Sequence, residues 1–258
     1  MNPFTEVRKV PLFYSGVQSN AFSVQTMQEN KWKEVGNVSN NYLLVENEEV
    51  KNMADDVITR SGKDWEPLKT FWDGKRYMDS YICKSETAAV KVGDDVGLGI
   101  SFWNSYDGST ALSFRLFIVR LLCTNGMLSK HFFHNYRFKH NRSSENYQDE
   151  IVNISDIIRD SGTSVKAMAK NLTALDDTGF GTSTMKELRQ DNLSDLPVTL
   201  WGKISSHFLS KYVANNEETT YWDFYNACTD ILWHDEKPTM ASFEHNQVIT
   251  DRLLQAMS

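Results

Sequence analysis

The sequence predicts an α+β fold: an antiparallel β-meander with a central hairpin packs against helices, and the C-terminal half is mainly helical. Two patterns carry this prediction, namely β-rich runs across residues 69–122 and apolar residues at helical spacing across 143–256. The 258 residues are 40% hydrophobic and 12% aromatic, which excludes wholesale disorder. We predict a single domain over 1–258, with an N-terminal helix and antiparallel sheet in 1–142 and a helical part in 143–258.

The amino-acid composition limits the cellular compartment and the classes of binding partner that we expect for this protein. The formal charge of −7 excludes a uniformly basic nucleic-acid-binding surface but leaves room for a local positive patch. The three cysteines form no CxxC pair, so we expect a reducing cytoplasm rather than a disulfide scaffold. No apolar run approaches the ~18 residues of a spanning helix, and the first residues do not resemble a signal peptide. We therefore predict a cytoplasmic protein with no membrane partner.

The first elements are predicted from capping and turn residues. Residues 1–45 suggest irregular structure with short extended pieces, ending in a strand candidate at 40–45. The spacing of apolar residues after Asn47 predicts a helix over 47–61, with Asn47 as its N-cap and Gly62 as its end.

A meander of strands follows this helix. Residues 76–83 and 87–92 are strand-like, and the clearest unit is a hairpin of 98–105 and 110–122. Asp107-Gly108 joins its two strands, and this dipeptide is a strong hairpin signal because glycine adopts a positive φ easily. Both faces of the second strand are mostly apolar, which predicts a central strand covered on both sides. Arg115 and Arg120 interrupt these two faces.

Beyond residue 143 the chain becomes polar and helical. Helical spacing predicts helices around 151–158, 165–172 and 200–212, a short helix after 176–184, and a final helix over about 243–256. The clearest helix spans about 220–233 and places six large apolar side chains on one face.

The most unusual stretch is residues 128–142, here called the basic–aromatic segment. It contains four Lys or Arg, four aromatic residues and no acid, whereas residues 143–258 carry 9 basic and 18 acidic groups. Cations that neutralise phosphates and rings that stack on bases are what single-stranded nucleic acid requires. The alternative is an edge strand whose aromatic side chains pack inward and whose charges are solvated. The candidate phosphate contacts are Lys130, Arg137, Lys139 and Arg142, the candidate stacking residues are Tyr136 and Phe138, and Arg115 or Arg120 would contribute by lining a groove.

The other motifs are weaker candidates for a functional site. His131 and His134 have a spacing that suits metal binding, but zinc needs three or four converging ligands and none of the usual partners lies nearby. Residues 179–184 lack the Gly-Lys-Ser/Thr ending of a phosphate loop, and no catalytic spacing is evident. We therefore expect no enzyme, no cofactor and no metal site.

Four motifs in order resemble a known family: Val35–Glu49, the Asn104–Ser109 hairpin turn, Arg120–Met127 and Tyr221–Thr229. They are similar to the phage- and plasmid-like proteins of the domain-of-unknown-function family number nine-three-two. The resemblance spans about 30–250 and implies a protein of phages, plasmids or their hosts, and it transfers no activity or catalytic residue. The order of one helix and an antiparallel meander is also similar to single-strand-annealing proteins of the Rad fifty-two type, a comparison of architecture alone.

Together these observations predict a phage- or plasmid-type accessory protein that binds single-stranded nucleic acid, with strand annealing in recombination or replication as its expected role. A homo-oligomer, as a ring or filament, is the expected state for annealing. The alternative is a protein-interaction or anti-defence module that acts on a host protein through its acidic helical half, without binding nucleic acid. A third class, an enzyme with a site assembled from distant residues, requires a deep pocket with converging Asp, Glu or His.

Overall fold

The computed structural model describes residues 2–121, 125–127, 135–138, 140, 147–159, 161–216, 218–234 and 240–256. Within them, antiparallel strands come first and helices dominate after residue 147, so the predicted α+β class is confirmed. No helix in these ranges combines the length and the apolar character that a membrane crossing requires.

The N-terminal residues form a three-stranded antiparallel sheet in the order β1-β2-β3, made of Val7–Tyr14, Val17–Gln28 and Lys31–Ser39. The prediction of irregular structure here is wrong, and so is the strand at 40–45. Tight turns with positive φ at Ser15 and Gly16 close the first hairpin. One face buries Val24 and Val38 beneath partly buried apolar neighbours. The other face is polar enough to dilute the apolar signal in the sequence.

Helix α1 spans Asn47–Ser61 and ends at Gly62, whose φ of 66° is the left-handed conformation expected there. The N-cap is Glu46 rather than Asn47, because the backbone N–H of Glu46 donates to the Glu49 carboxylate at 3.2 Å. Asn47 is buried and donates through its side chain to the carbonyl of Pro3 at 2.8 Å.

The larger sheet has the order β4-β5-β6-β7-β8, and β9 also pairs with β7. The predicted hairpin is present as β6 and β7, and the strand-like runs 76–83 and 87–92 merge into the single strand β5. Strand β7 is buried along almost its whole length, as a central strand requires. The strands are β4 Trp65–Trp72, β5 Arg76–Lys91, β6 Asp94–Ser105, β7 Leu112–Arg120, β8 Asn125–Met127 and β9 Asn135–Phe138.

The helices predicted after residue 143 are all present, and most of them begin a few residues earlier than predicted, whereas the helix predicted over 220–233 is shifted by one residue. Helix α5 continues directly into a π-helical turn at Leu209–Val213. The helices are α2 Tyr147–Arg159, α3 Gly162–Asp176, α4 Thr182–Asp191, α5 Val198–Phe208, α6 Tyr221–His234 and α7 Met240–Ala256.

The chain divides into two compact units that interleave along the sequence. Unit 1 comprises Met1–Ile82, Ile100–Leu116 and His134–Asp160, and unit 2 comprises the rest. Unit 1 contains the small sheet with α1 and α2, whereas unit 2 contains α3 to α7. The division therefore cuts across strands β5 to β7 instead of separating a sheet from a helical half. Whether the chain forms one domain stays a prediction.

Candidate nucleic-acid interface

Five of the eight predicted contact residues lie in the described part of the chain: Arg115, Arg120, Tyr136, Arg137 and Phe138. Lys130, Lys139 and Arg142 lie outside the described residues, and so do His131 and His134.

Strand β9 carries the described part of the basic–aromatic segment. It pairs antiparallel with β7, so that Phe114 lies opposite Tyr136 and Ser113 lies opposite Arg137. Since directly opposed residues share a face of the sheet and successive residues alternate, Tyr136 and Phe138 lie on one face and Arg137 on the other.

The Phe138 side chain of β9 belongs to a packed aromatic cluster. The Phe138 ring meets the Phe114 ring edge-on at a centroid distance of 5.6 Å, and Phe114 meets Phe102 in the same way at 5.1 Å. Both Tyr136 and Phe138 are half-buried. This geometry agrees with the edge-strand alternative, in which the rings pack inward and the charge points outward.

Two arginines lie on the opposite face of the same strand pair, and we call Arg115 and Arg137 the cationic face. Arg137 is exposed and takes part in no ion pair among the described residues. The Arg115 guanidinium lies 4.6 Å from the centre of the Trp103 ring, which holds it in place by a cation–π contact. Ser113, opposite Arg137, is fully buried, and its hydroxyl has no hydrogen-bond partner within the described ranges.

Arg120 lies in unit 2, and its environment differs from that of Arg115 and Arg137. Its guanidinium donates two hydrogen bonds to the Asp94 carboxylate, at 2.6 and 2.7 Å, and Trp222 Nε1 donates to the same carboxylate at 2.8 Å. Asp94 and Arg120 are only 2% and 8% exposed. Burial alone would raise the pKa of Asp94, but the hydrogen bonds from Arg120 and Trp222 outweigh it and hold the pKa below its ordinary value. This geometry gives Arg120 a structural role.

His140 is the one histidine of the basic–aromatic segment that the structure describes. Its ring stacks on Tyr42 at 4.8 Å, and its Nδ1 lies 3.1 Å from the carbonyl oxygen of Leu43. Burial lowers its pKa, so the neutral ring is favoured. In the described ranges no three His, Cys, Asp or Glu side chains converge on a metal-sized site.

The turn motif at 104–109 is used structurally. The Asn104 side chain donates to the carbonyl of Val45 and to the side chain of Asn47, both at 2.9 Å. Lys75 pairs with Asp107 at 2.8 Å, and Gly108 has a φ of 73°, as the turn requires. These contacts fix the turn and the start of α1 within unit 1.

A second positively charged surface in unit 2 went unpredicted, and we call it the α3 groove. Lys166 and Lys170 lie one turn apart on α3, both exposed, and neither forms an ion pair with a described residue. They border an open cavity of about 600 Å³ with Asp177 at its edge. Small side chains line this cavity, namely Ala88, Ala89, Ala169 and Ala174.

Contacts at the end of β5 hold α3 in position. The Thr173 hydroxyl donates to the carbonyl of Val90 at 3.0 Å, and Lys91 pairs with Asp176 at 2.7 Å. The acidity of residues 143–258 as a whole hides this surface, because α3 itself carries two lysines and a single acid. Charge counted helix by helix would have revealed it.

The fold and these surfaces define an α+β protein whose described part carries positive patches and no recognisable catalytic constellation. Residues 34–254 match the family described as Domain of unknown function (DUF932). The match covers most of the chain, so this protein belongs to that family. No significant match was found among the curated proteins or among the solved structures. The similarity to annealing proteins of the Rad fifty-two type therefore stays a prediction.

Proposed function

We propose that this protein binds single-stranded nucleic acid through the cationic face, with Arg115 and Arg137 contacting phosphates. The observation that carries the proposal is the register of β7 and β9, which places both arginines on one face of neighbouring strands. Arg137 lies opposite Ser113, two residues from Arg115, and long side chains at such diagonal positions, roughly 7–8 Å apart, reach a common ligand.

Guanidinium chemistry supports this choice of ligand. A planar guanidinium donates two parallel hydrogen bonds to a phosphate, and charge-assisted bonds of this kind are about twice as strong as neutral ones. The ring of Trp103 restricts Arg115 before any ligand arrives, which reduces the entropic cost of binding.

The α3 groove, in unit 2, also suits an anionic ligand such as single-stranded nucleic acid. Lys166 and Lys170 are like charges at i and i+4, an arrangement that destabilises an isolated helix by roughly 0.2–0.5 kcal/mol unless an anion neutralises it. The alanine lining leaves room for a strand to approach the lysines.

Strand annealing is the activity we propose for bound strands. Annealing needs no cofactor, because base pairing supplies the free energy. Phosphate contacts leave the base edges available for pairing, whereas the inward packing of Phe138 gives base stacking on that ring less support.

Fluorescence anisotropy with a labelled single-stranded oligonucleotide, titrated at several salt concentrations, tests the proposal. We expect micromolar or tighter binding that weakens as salt rises. Removing one cation that neutralises a phosphate should reduce the slope of log K against log salt by about 0.7. Arg137→Gln should therefore lower the slope by about that amount and the affinity by about tenfold, whatever the sequence of the oligonucleotide.

Arg60→Gln is the matched control, because Arg60 is an exposed arginine of α1 that pairs with Asp56 and is not part of the β7–β9 strand pair. It should change neither affinity nor slope. Absence of salt-sensitive binding by the wild type, or equal effects of the two substitutions, would overturn the proposal.

A further inference from the structure

An open cavity of about 200 Å³ lies in unit 2, where the start of α5, the end of α6 and the start of α7 border it. Its described lining combines an apolar part with a polar part that contains one lysine, one histidine, two hydroxyls and no acid. We call it the α5–α7 pocket. The apolar residues are Pro197, Leu200, Ile231, Leu232 and Ala241, and the polar residues are Thr199, Lys203, Ser242 and His245.

The polar groups of the pocket come from two helices. Thr199 and Lys203 are four residues apart on α5, so they share one side of that helix. Ser242 and His245 are three residues apart on α7 and share a side of their own helix in the same way. An ammonium group, an imidazole N–H and a hydroxyl can all donate hydrogen bonds to an anion. Donors from two separate helices therefore border one cavity.

The backbone adds to the positive character of the pocket. The first N–H groups of a helix have no acceptor within the helix and carry a partial positive charge, which favours an anion nearby. The pocket lining includes first-turn residues of both α5 and α7, and neither first turn contains an acid that would neutralise this charge. Helix α5 also begins after Pro197, whose side chain cannot accept a hydrogen bond. The side chains and the helix starts therefore favour a ligand of the same charge.

The apolar part of the lining limits the rest of the ligand. A cavity of about 150 Å³ holds one benzene-sized ring, and sites for drug-sized ligands begin near ~300 Å³. A hydrated inorganic anion would leave Leu200, Ile231 and Leu232 in contact with water, so an anion with an apolar body gains more from this pocket. A carboxylate has a single charge, which one lysine can neutralise, whereas a phosphate monoester carries about −1.5 to −2.

We propose that the α5–α7 pocket binds a small organic carboxylate, with its charged group at Lys203 and His245 and an apolar body of ring size against the apolar lining. Lys203 is exposed, so its ammonium group can reach a ligand at the mouth of the pocket. The pocket shares no residue with the cationic face or with the α3 groove. The inference therefore goes beyond nucleic-acid binding and does not depend on it.

Isothermal titration calorimetry and ligand-observed NMR on the full chain, with benzoate as the probe, test the proposal. We expect saturable binding with a dissociation constant of about 1 mM or tighter, as suits a ligand of so few atoms. Acetate has the charge without the ring, and benzyl alcohol has the ring without the charge. Each should bind at least about tenfold more weakly than benzoate.

Two variants separate the charged part of the pocket from its apolar part. Lys203→Met removes the charge but keeps an unbranched side chain, so it should weaken benzoate about tenfold and leave benzyl alcohol unchanged. Ala241→Phe should weaken both probes, because it fills the apolar part, and Ala241 is exposed, so the core is not disturbed. Lys186→Met is the matched control, because Lys186 is an exposed lysine of α4 that does not line the pocket. Circular dichroism confirms that each variant is folded.

Three results would overturn the inference. Benzoate shows no saturable binding at millimolar concentrations, acetate or benzyl alcohol binds as tightly as benzoate, or Lys203→Met and Lys186→Met have equal effects. Oligonucleotide titrations of the same preparations keep this inference apart from the proposed function. Lys203→Met should leave oligonucleotide affinity unchanged, and benzoate binding should be the same whether or not the wild type binds nucleic acid.

Discussion

Two arginines on strand β7, five residues apart, have different environments. Arg115 is half-buried and lies over Trp103 at 4.6 Å, and Arg120 is buried and lies over Trp222 at 5.6 Å. Both rest on an indole ring, so aromatic contact does not distinguish them. Burial does, because Arg120 is only 8% exposed and its charge is neutralised by two hydrogen bonds to Asp94.

The comparison teaches that burial, rather than position along a strand, decides whether a cation can bind a ligand. A buried guanidinium whose charge is neutralised cannot leave its carboxylate without a cost of several kcal/mol. A half-buried guanidinium over a ring keeps part of its surface in solvent, where a phosphate can approach it. We therefore assign a structural role to Arg120 and propose a binding role for Arg115.

The largest expected effect is on stability, from Asp94→Asn. This substitution keeps the shape of the side chain but leaves the Arg120 charge buried without a counter-ion. We expect the free energy of unfolding to fall by about 3–5 kcal/mol, measured by urea denaturation. Asp94→Leu combined with Arg120→Met should recover most of this decrease, since neither buried charge remains.

Asp95→Asn is the control for this prediction, because Asp95 is exposed beside Asp94 in the sequence. It should change stability by less than about 0.5 kcal/mol. Equal effects at positions 94 and 95 would show that the buried pair contributes nothing particular.

The next effect concerns binding, from Arg115→Gln. We expect oligonucleotide affinity to fall by about tenfold, because the variant cannot make a charge-assisted hydrogen bond to phosphate. Stability should fall by no more than about 2 kcal/mol, which is the upper range of a cation–π contact. Anisotropy and urea denaturation on the same preparation separate the two quantities. A large decrease in stability with unchanged affinity would show that Arg115, like Arg120, has a structural role and does not bind the ligand.

A smaller effect is the pH dependence of the Asp94 pair. The folded pKa of Asp94 lies below its ordinary value of 3.8, so the folded state binds fewer protons there than the unfolded state. Its contribution to stability is therefore complete above the ordinary value and is lost as pH falls through the folded pKa. The difference in unfolding free energy between wild type and Asp94→Asn should narrow as the solution is acidified below that value. A gap that stays constant with pH would contradict this assignment.

The sequence predicts much of the fold because its signals are local. Helix α1 with Gly62 and the β6–β7 hairpin with Asp107-Gly108 depend on residues close together in the chain. The small N-terminal sheet is missed because its polar face interrupts the apolar alternation. The role of Arg120 depends on Asp94 and Trp222, which lie 26 and 102 residues away, and no local pattern reports such a pairing. Likewise, Lys166 and Lys170 are hidden by the acidity of the surrounding helices.

The smallest expected effect comes from Lys170→Gln in the α3 groove. This substitution should change both stability and oligonucleotide binding, the two properties that distinguish Arg120 from Arg115. Removing one of two like charges at i and i+4 should raise the free energy of unfolding by roughly 0.2–0.5 kcal/mol. The same change should weaken oligonucleotide binding and lower its salt slope by about 0.7, if Lys170 neutralises one phosphate. Lys31→Gln removes an exposed charge elsewhere and should do neither. A gain in stability with unchanged affinity would show that the two lysines form only a solvated helix face. A decrease in affinity would show that the two lysines contribute to ligand binding although their repulsion destabilises the helix.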